Sequence, residues 1–309
     1  MNMGSNVSVR LGIVILNYND YTMTQELLKN VRYYDDADEI VVVDNGSSNE
    51  SLGVLSKFQS QNIHVISAGN NGGYSSGNNI GIRYLRDNFP VDIVCIANPD
   101  VEFSNDTLLA IKKCYANTDY PVFGPVMLNI DYSVADNPCW DIPTFYADCL
   151  MCFWLFRKLQ RERKSIIPSA DSYLPVEVLP GSFFAARDSF LKTINDLDEH
   201  TFLYCEERIL AWHVKNAKME ECLITSATYR HVHGATTQKY ISSVKKHRLM
   251  LESREYFNYA IRGCGKVKRF LFRLCSSYSM IEYRLLAKLK NMHKDKAGAI
   301  NVEDDSCYP

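Results

Sequence analysis

Ile93-Val94-Cys95-Ile96-Ala97-Asn98-Pro99-Asp100-Val101 is an apolar run that stops on a proline followed by an acid. A short continuous apolar run of this length reads as a strand buried on both faces. Proline has no N–H to give to a sheet ladder, so the strand must end there. Asp100 is therefore presented at a strand's carboxyl edge, the side on which open α/β sheets bind ligands.

Working upstream, strand and helix signals alternate. Residues 9–16, 39–43 and 63–67 read as buried strands, and 91–97 as a fourth. Between them, 21–34, 51–59 and 77–88 read as helices; Leu27, Leu28 and Val31 gather on one face of the first. Repeated βαβ units of this length imply a mostly parallel sheet with helices on both faces. Right-handed crossovers place the loops that follow the strands on one common edge.

Downstream the pattern loosens. Residues 121–180 are rich in proline and aromatics and read as an inserted or variable region. Residues 176–186 read as a strand, 206–215 as a helix and 224–231 as a strand. Cys149-Leu150-Met151-Cys152-Phe153-Trp154-Leu155-Phe156 is followed by the basic run 157–164. This pairing reads as a core helix with a solvated end, the alternative being a membrane-surface segment. The tail 262–296 holds ten Lys/Arg against Glu282 and Asp295, interleaved with Phe270, Leu271, Tyr278 and Ile281. It reads either as a basic amphipathic element for an anionic lipid surface or as helices packed with a basic outer face.

The composition bounds the partners. A chain of 309 residues, 46% hydrophobic and 12% aromatic, can bury a sizeable core and makes one large or two modest domains. A net charge of −2 names no partner, and no recognised module marks a nucleic-acid binder. Ten cysteines are scattered; Cys149 and Cys152 have the spacing of a metal pair but no second pair to complete a zinc site. Reduced thiols fit a cytosolic location. The opening residues are polar and read as no signal peptide, and no run approaches the 18 apolar residues of a membrane span.

Three polar loops join Asp100 at the common edge. Asn17-Tyr18-Asn19 follows the first strand and offers amide and phenol groups to a base or ribose. Asp44-Asn45-Gly46-Ser47-Ser48 follows the second, where an aspartate can accept from a base N–H or a ribose hydroxyl. The same residue types also serve ordinary capping at a strand–helix turn. The third, Asn70-Asn71-Gly72-Gly73-Tyr74-Ser75-Ser76-Gly77-Asn78-Asn79, leads into a helix, and its glycines permit close backbone approach to a ligand. It lacks the GK[ST] of an ATPase loop, and no GxGxxG follows the first strand.

As an ordered set, these motifs resemble family 2 glycosyltransferases of the GT-A fold, especially the rhamnosyltransferase-like branch. The residues that carry the resemblance are 14–19, 41–47, 71–79 and 98–101. Leu179-Pro180-Gly181-Ser182-Phe183-Phe184, Phe202-Leu203-Tyr204-Cys205-Glu206-Glu207 and His231-Val232-His233-Gly234-Ala235-Thr236 extend it to about residue 240. The resemblance implies a Rossmann-like, mostly parallel central sheet flanked by helices. It gives a catalytic domain over 1–240, with a nucleotide-binding half 1–115 and an acceptor-binding half 116–240, and a basic helical extension over 241–309.

The implied activity is inverting transfer of a sugar from a UDP- or dTDP-linked donor to a saccharide or lipid-linked acceptor in bacterial surface polysaccharide synthesis. The alternative is a catalytically inactive sugar-nucleotide-binding protein of the same fold. A nucleotidyltransferase would need a glycine-rich basic loop near the first strand, which Asn17-Tyr18-Asn19-Asp20 does not offer. The donor contacts implied are Asn17, Tyr18, Asn19, Asp44, Asn45, Asn71, Gly73, Tyr74, Asn78, Asn98 and Asp100. The family's DxD becomes Asn98-Pro99-Asp100, leaving Asp100 as the metal carboxylate for Mn²⁺ or Mg²⁺, with His231 or His233 to complete the site. Of the paired acids, Glu207 is the implied base and Glu206 its close alternative; Asp198 belongs to a loop that contacts acceptor or donor sugar. Where the family often carries a further acid, this chain has Ile209. The implied location is cytoplasmic, at the inner face of the membrane through the tail.

Overall fold

The computed structural model describes residues 9–159, 173–232 and 242–300. Strand and helix alternate as the apolar periodicity predicts: β1 (Leu11–Asn17), α1 (Tyr21–Val31), β2 (Glu39–Asp44), α2 (Ser51–Leu55), β3 (Ile63–Ser67), α3 (Tyr74–Asn88) and β4 (Ile93–Ala97). Next come β5 (Val101–Glu102), α4 (Asn105–Asn117), β6 (Val122–Leu128), α5 (Phe145–Leu150), α6 (Trp154–Leu159), β7 (Tyr173–Val176) and β8 (Phe183–Arg187). The chain continues through α7 (Asp188–Thr193), α8 (Glu206–Asn216), β9 (Glu221–His231), α9 (Ser243–Tyr256), a π-helical turn (Phe257–Ile261) and α10 (Lys266–Ile300).

The strands form one sheet in the order β3-β2-β1-β4-β8-β6-β9-β5, with β7 added on β9. The first four strands of that order run parallel, and their carboxyl ends are in register, with Asn17 opposite Asp44 and Ile15 opposite Ala97. Beyond β4 the sheet is mixed: β8 runs antiparallel between β4 and β6, and β6 and β9 are parallel. Alternation along the strands splits the core into two layers. Ile13, Ile15, Ile40 and Val42 pack with α1 and α4, while Val14, Val41 and Val43 pack under α3 with Ile82 and Leu85. Gly81 sets how closely α3 rides on β1, since a Cβ there would meet Val14 Cγ1 at 2.4 Å.

The helix expected over 51–59 ends at Leu55 and gives way to a 3₁₀ turn, Ser56–Phe58, and two further departures bear on the carboxyl edge of the sheet. The helix expected at 77–88 begins at Tyr74, so Gly73 is its cap residue and the glycine-rich loop is its lead-in. The strand expected over 176–186 is two strands, β7 and β8, interrupted around Pro180-Gly181. Proline cannot serve an interior ladder, and the break is held by other partners: Leu179 N donates to the buried Glu221 carboxylate at 2.8 Å, and Val178 bridges to Trp140.

The chain divides into two compact units, Met1–Ile142 with Arg163–Lys239, and Pro143–Glu162 with Tyr240–Pro309. The second unit has its own small core of Phe145, Cys149, Cys152, Leu251 and Phe272. Cys149 and Cys152 are free and buried, and burial pushes the Cys149 thiol up to about 12. Asp148 is buried there and accepts from Asn258 Nδ2 at 2.8 Å. The core helix expected over 149–156 is not continuous: α5 ends at Leu150, and in α6 Trp154, Leu155, Phe156 and Leu159 are all exposed, while 160–164 lie outside the described residues. Among the described residues no helix is long and apolar enough to cross a membrane.

Candidate functional site

The carboxyl edge of the parallel strands gathers the loops the sequence singles out. Asn17 and Asp44 end adjacent strands, and Asn17 Nδ2 donates to Asp44 Oδ1 at 2.9 Å and to Ser47 Oγ at 3.2 Å. Asn17 Oδ1 accepts from Thr24 Oγ1 at 2.9 Å, so this fully buried amide is spent on holding the loops together. Asp44 Oδ2 accepts from Ser47 N at 3.1 Å, which fixes the carboxylate's orientation. Asn19, left-handed at φ 56°, accepts from Ser48 N at 2.8 Å. Tyr18 lies half-buried between them.

The lead-in to α3 forms a second wall. Asn45 Nδ2 donates to Asn71 Oδ1 and to the Gly73 carbonyl, both at 3.1 Å, and Gly73 N donates to Asn71 Oδ1 at 3.0 Å. Gly73 has φ 93°, and a Cβ there would meet Phe202 O at 2.5 Å. Only glycine fits this crossing, which lets Tyr74 N donate to Phe202 O at 3.0 Å. Asn79 grips the same loop farther along: it donates to Leu197 O at 2.8 Å and Glu199 Oε1 at 2.7 Å, and accepts from Leu197 N at 3.0 Å. Asn45 Oδ1, Ser75 Oγ and Asn78 Oδ1 are buried without a protein partner. Three orphaned polar oxygens at one helix start have the character of a ligand wall, since buried polar atoms are otherwise paired.

The acid at the end of β4 has a partner from the far end of the sheet. Val101 pairs with His231 across β5 and β9, and this brings His231 Nε2 to 3.2 Å from Asp100 Oδ2. Val232 N donates to Asp100 O at 2.9 Å. Pro99 and Asp100 also line a cleft with Met23, Glu26, Asn30 and Val232. His233, with Gly234 and Thr236, lies outside the described residues. Among the described residues no three His, Cys, Asp or Glu side chains are grouped to hold a metal. The donor set here is one carboxylate and one imidazole. That fits a divalent cation whose remaining ligands are phosphate oxygens and water, the usual arrangement for Mg²⁺ with a nucleotide.

The paired acids stand at the start of α8, after Tyr204 and Cys205, which are both left-handed at φ 75° and 70°. Consecutive left-handed non-glycine residues are strained and persist only where the surroundings impose them. A Cβ placed on Gly181 would lie 3.8 Å from Glu207 Oε2 and equally 3.8 Å from the Tyr74 hydroxyl, so these three groups share one corner. Tyr74 donates its hydroxyl to Gly181 O at 2.5 Å. Burial, reinforced by Glu206 and Glu207, holds that phenol well above its ordinary range. Burial, with the Glu207 charge adding, pushes Glu206 up to about 8, and its Oε1 has no protein partner. Glu221 is raised well above the carboxylate range by burial and again by Glu207, although Leu179 N opposes the shift. Asp198 is turned to its own loop: Oδ1 accepts from His200 N at 2.9 Å and lies 3.0 Å from His200 Nδ1.

Three residues beyond the sequence-derived candidates tie the two ends of the site together. Asn98 N donates to Ser182 O at 2.9 Å, and the Ser182 hydroxyl lies 2.7 Å from the Tyr229 hydroxyl. Tyr229, fully buried, also feels the Asp100 charge. Gly181 and Ser182 thus run from the acids of α8 to the Asn98–Asp100 turn. The run Leu179–Phe184 carries the family resemblance, but nothing in its composition reveals these partners.

Residues 12–164 match the model of Glycosyl transferase family 2. The low-salt glycan biosynthesis hexosyltransferase Agl10 of Haloferax volcanii is 29% identical over 223 residues, 71% of this chain and 66% of that protein. The chain therefore spans just under two thirds of that relative's length. The rhamnosyltransferase WbbL of Escherichia coli is 28% identical over 205 residues, 63% of this chain and 73% of that protein. Among solved structures, the mannosyltransferase PcManGT of Pyrobaculum calidifontis, in complex with GDP-Man and Mn²⁺, superposes with a TM-score of 0.55 at 13% identity, over 95% of this chain and 81% of its own. S. aureus TarS 1–349 gives 0.53 at 13% identity, over 89% and 72%. The likeness to these structures is one of fold. Residues 12–164 are thus similar to glycosyl transferase family 2, and the described chain has a GT-A fold.

Proposed function

We propose that the protein transfers a sugar, with inversion, from a UDP- or dTDP-linked donor to a saccharide or lipid-linked acceptor in surface-glycan synthesis. The single observation that carries this reading is the joining of two arms through Gly181-Ser182: the Asp100–His231 pair at one end and the Glu207–Tyr74 corner at the other. An inverting transfer needs both, an anchor for the leaving diphosphate and a base beside the attacking hydroxyl.

Asp44, Tyr18 and Asn19 would face the nucleoside, and Asn45 and Asn78 would donate or accept at the ribose and sugar. Glu207 takes the proton of the acceptor hydroxyl. The acceptor oxygen bonds to the anomeric carbon as the bond from that carbon to the phosphate oxygen breaks, and the electron pair leaves with the nucleoside diphosphate. Asp100 and His231 would hold a Mn²⁺ or Mg²⁺ ion together with the donor's phosphates, where its charge would offset that of the departing diphosphate. The choice of Glu207 rests on its place in the family's acidic motif and on its carboxylate sharing a corner with Gly181 and the Tyr74 hydroxyl. Asp198 is assigned to contact with the acceptor or the donor sugar. The names of the two relatives, a hexosyltransferase and a rhamnosyltransferase, favour a hexose or deoxyhexose donor.

We place the protein in the cytoplasm at the inner face of a membrane, where a lipid-linked acceptor would be met, with the basic tail as the contact. The test of the transfer reading is release of nucleoside diphosphate from a panel of UDP- and dTDP-sugars with Mn²⁺. Turnover of at least one donor is expected. Binding of a donor without turnover of any would leave the inactive binding protein.

A further inference from the structure

We infer that α6 and the first five turns of α10 form one face that seats the protein on an anionic lipid surface. This deepens the membrane reading above and is independent of the transfer chemistry. Val267, Leu271, Leu274, Tyr278, Ile281 and Leu285 recur at spacings of four and three, which puts them in one stripe along a helix. All six are exposed, from 42% for Leu271 to 83% for Val267. The opposite side of α10 carries Phe272 and Ser279, both buried. The helix is therefore amphipathic twice over, with one face serving the unit's core and a second apolar face left in the open.

α6 extends that open face. Trp154 N donates to Glu282 Oε2 at 2.8 Å, Arg157 Nη2 pairs with the same oxygen at 3.0 Å, and the Phe153 ring lies 5.1 Å from that of Tyr278. With α6 fixed there, Trp154, Leu155 and Leu159 stand exposed beside the stripe. An apolar area of this extent, carried by two neighbouring elements, marks an interaction surface.

Charge selects the occupant. Lys266, Lys268, Arg284 and Lys288 are exposed on the flanks of α10, and the one acid between them, Glu282, is spent on Arg157 and Trp154 N. The four–three spacing alone would also suit a coiled coil with a second copy. Two such flanks carry cations only, however, and would repel each other, whereas a layer of anionic headgroups over acyl chains satisfies both the cations and the stripe.

The test is sedimentation of the full chain with vesicles of phosphatidylcholine alone or mixed with phosphatidylglycerol. Binding to the mixed vesicles should be about tenfold tighter or more and should weaken with salt. Leu274→Glu with Ile281→Glu, and separately Lys266→Glu with Arg284→Glu, should each reduce it about tenfold while the circular dichroism spectrum stays unchanged. Wild-type binding retained by both double variants would overturn this face while leaving the membrane reading intact. No vesicle binding by the wild type would overturn both. A stable dimer in sedimentation velocity that Leu274→Glu dissociates would assign the face to a second copy instead.

Discussion

His231 Nε2 lies 3.2 Å from Asp100 Oδ2, although Asp100 sits in the turn between β4 and β5 and His231 ends β9, far along the chain. The pairing of Val101 with His231 makes this contact, so the partner of Asp100 is built by sheet register rather than by loop chance. With only these two side chains to offer among the described residues, the protein should bind a divalent cation weakly by itself and well with a nucleotide. In a thermal-denaturation assay, Mn²⁺ alone should leave the midpoint unchanged, while Mn²⁺ with UDP or dTDP should raise it. Asp100→Ala should weaken cation-dependent nucleotide binding by about 10- to 100-fold, and His231→Ala by about tenfold. A midpoint raised equally by Mn²⁺ alone would contradict the shared site.

Glu206 makes a prediction about pH. Its carboxyl is held near 8 in the folded protein, against an ordinary value of 4.5. Between those values the folded protein keeps a proton that the unfolded chain has released, so stability from this group is full below about pH 4.5 and is lost as pH rises to about 8. Glu206→Gln removes the loss. The variant should gain stability relative to wild type as pH rises from 5 to 8, by on the order of 2–3 kcal/mol at the upper end. Urea denaturation at both pH values reads it; a difference independent of pH would refute the assignment.

Gly73 is a steric prediction. Its φ of 93° and the 2.5 Å approach to Phe202 O leave no room for a methyl group. Gly73→Ala should cost roughly 1–3 kcal/mol and draw Tyr74 away from Phe202 O and Gly181 O. Nucleotide-sugar binding should fall with it. Gly53→Ala, where a Cβ meets nothing within 4 Å, is the control that should bind as wild type.

Much of the nucleotide half was legible because its strands are buried on both faces and its loops are short. β3 matches its expected residues, and β1, β2 and β4 lie within two residues of expectation. Asp44, Asn71, Gly73 and Asp100 all fall on the expected edge. What could not be read depends on contacts distant in sequence. The break at Pro180-Gly181 looks like a continuous apolar strand until Glu221 is seen to take Leu179 N. Tyr229 carries no motif of its own, the motif over 179–184 does not reveal what Ser182 touches, and only the adjacency of the two near Asp100 shows them as supports. Asn17 illustrates the opposite case: its type suits a ligand contact, but the fold spends its amide on Asp44, Ser47 and Thr24.

In the proposed reaction Glu207, and not Glu206, takes the proton from the acceptor. The most direct measurement compares nucleoside diphosphate release by the wild type, Glu207→Gln and Glu206→Gln with the same donor, alongside each protein's donor affinity. Glu207→Gln should lose about 10²-fold or more in rate with donor affinity unchanged, while Glu206→Gln should stay within about tenfold of wild type. A Glu207→Gln protein that turns over at the wild-type rate, or a Glu206→Gln protein that is the inactive one, would contradict it.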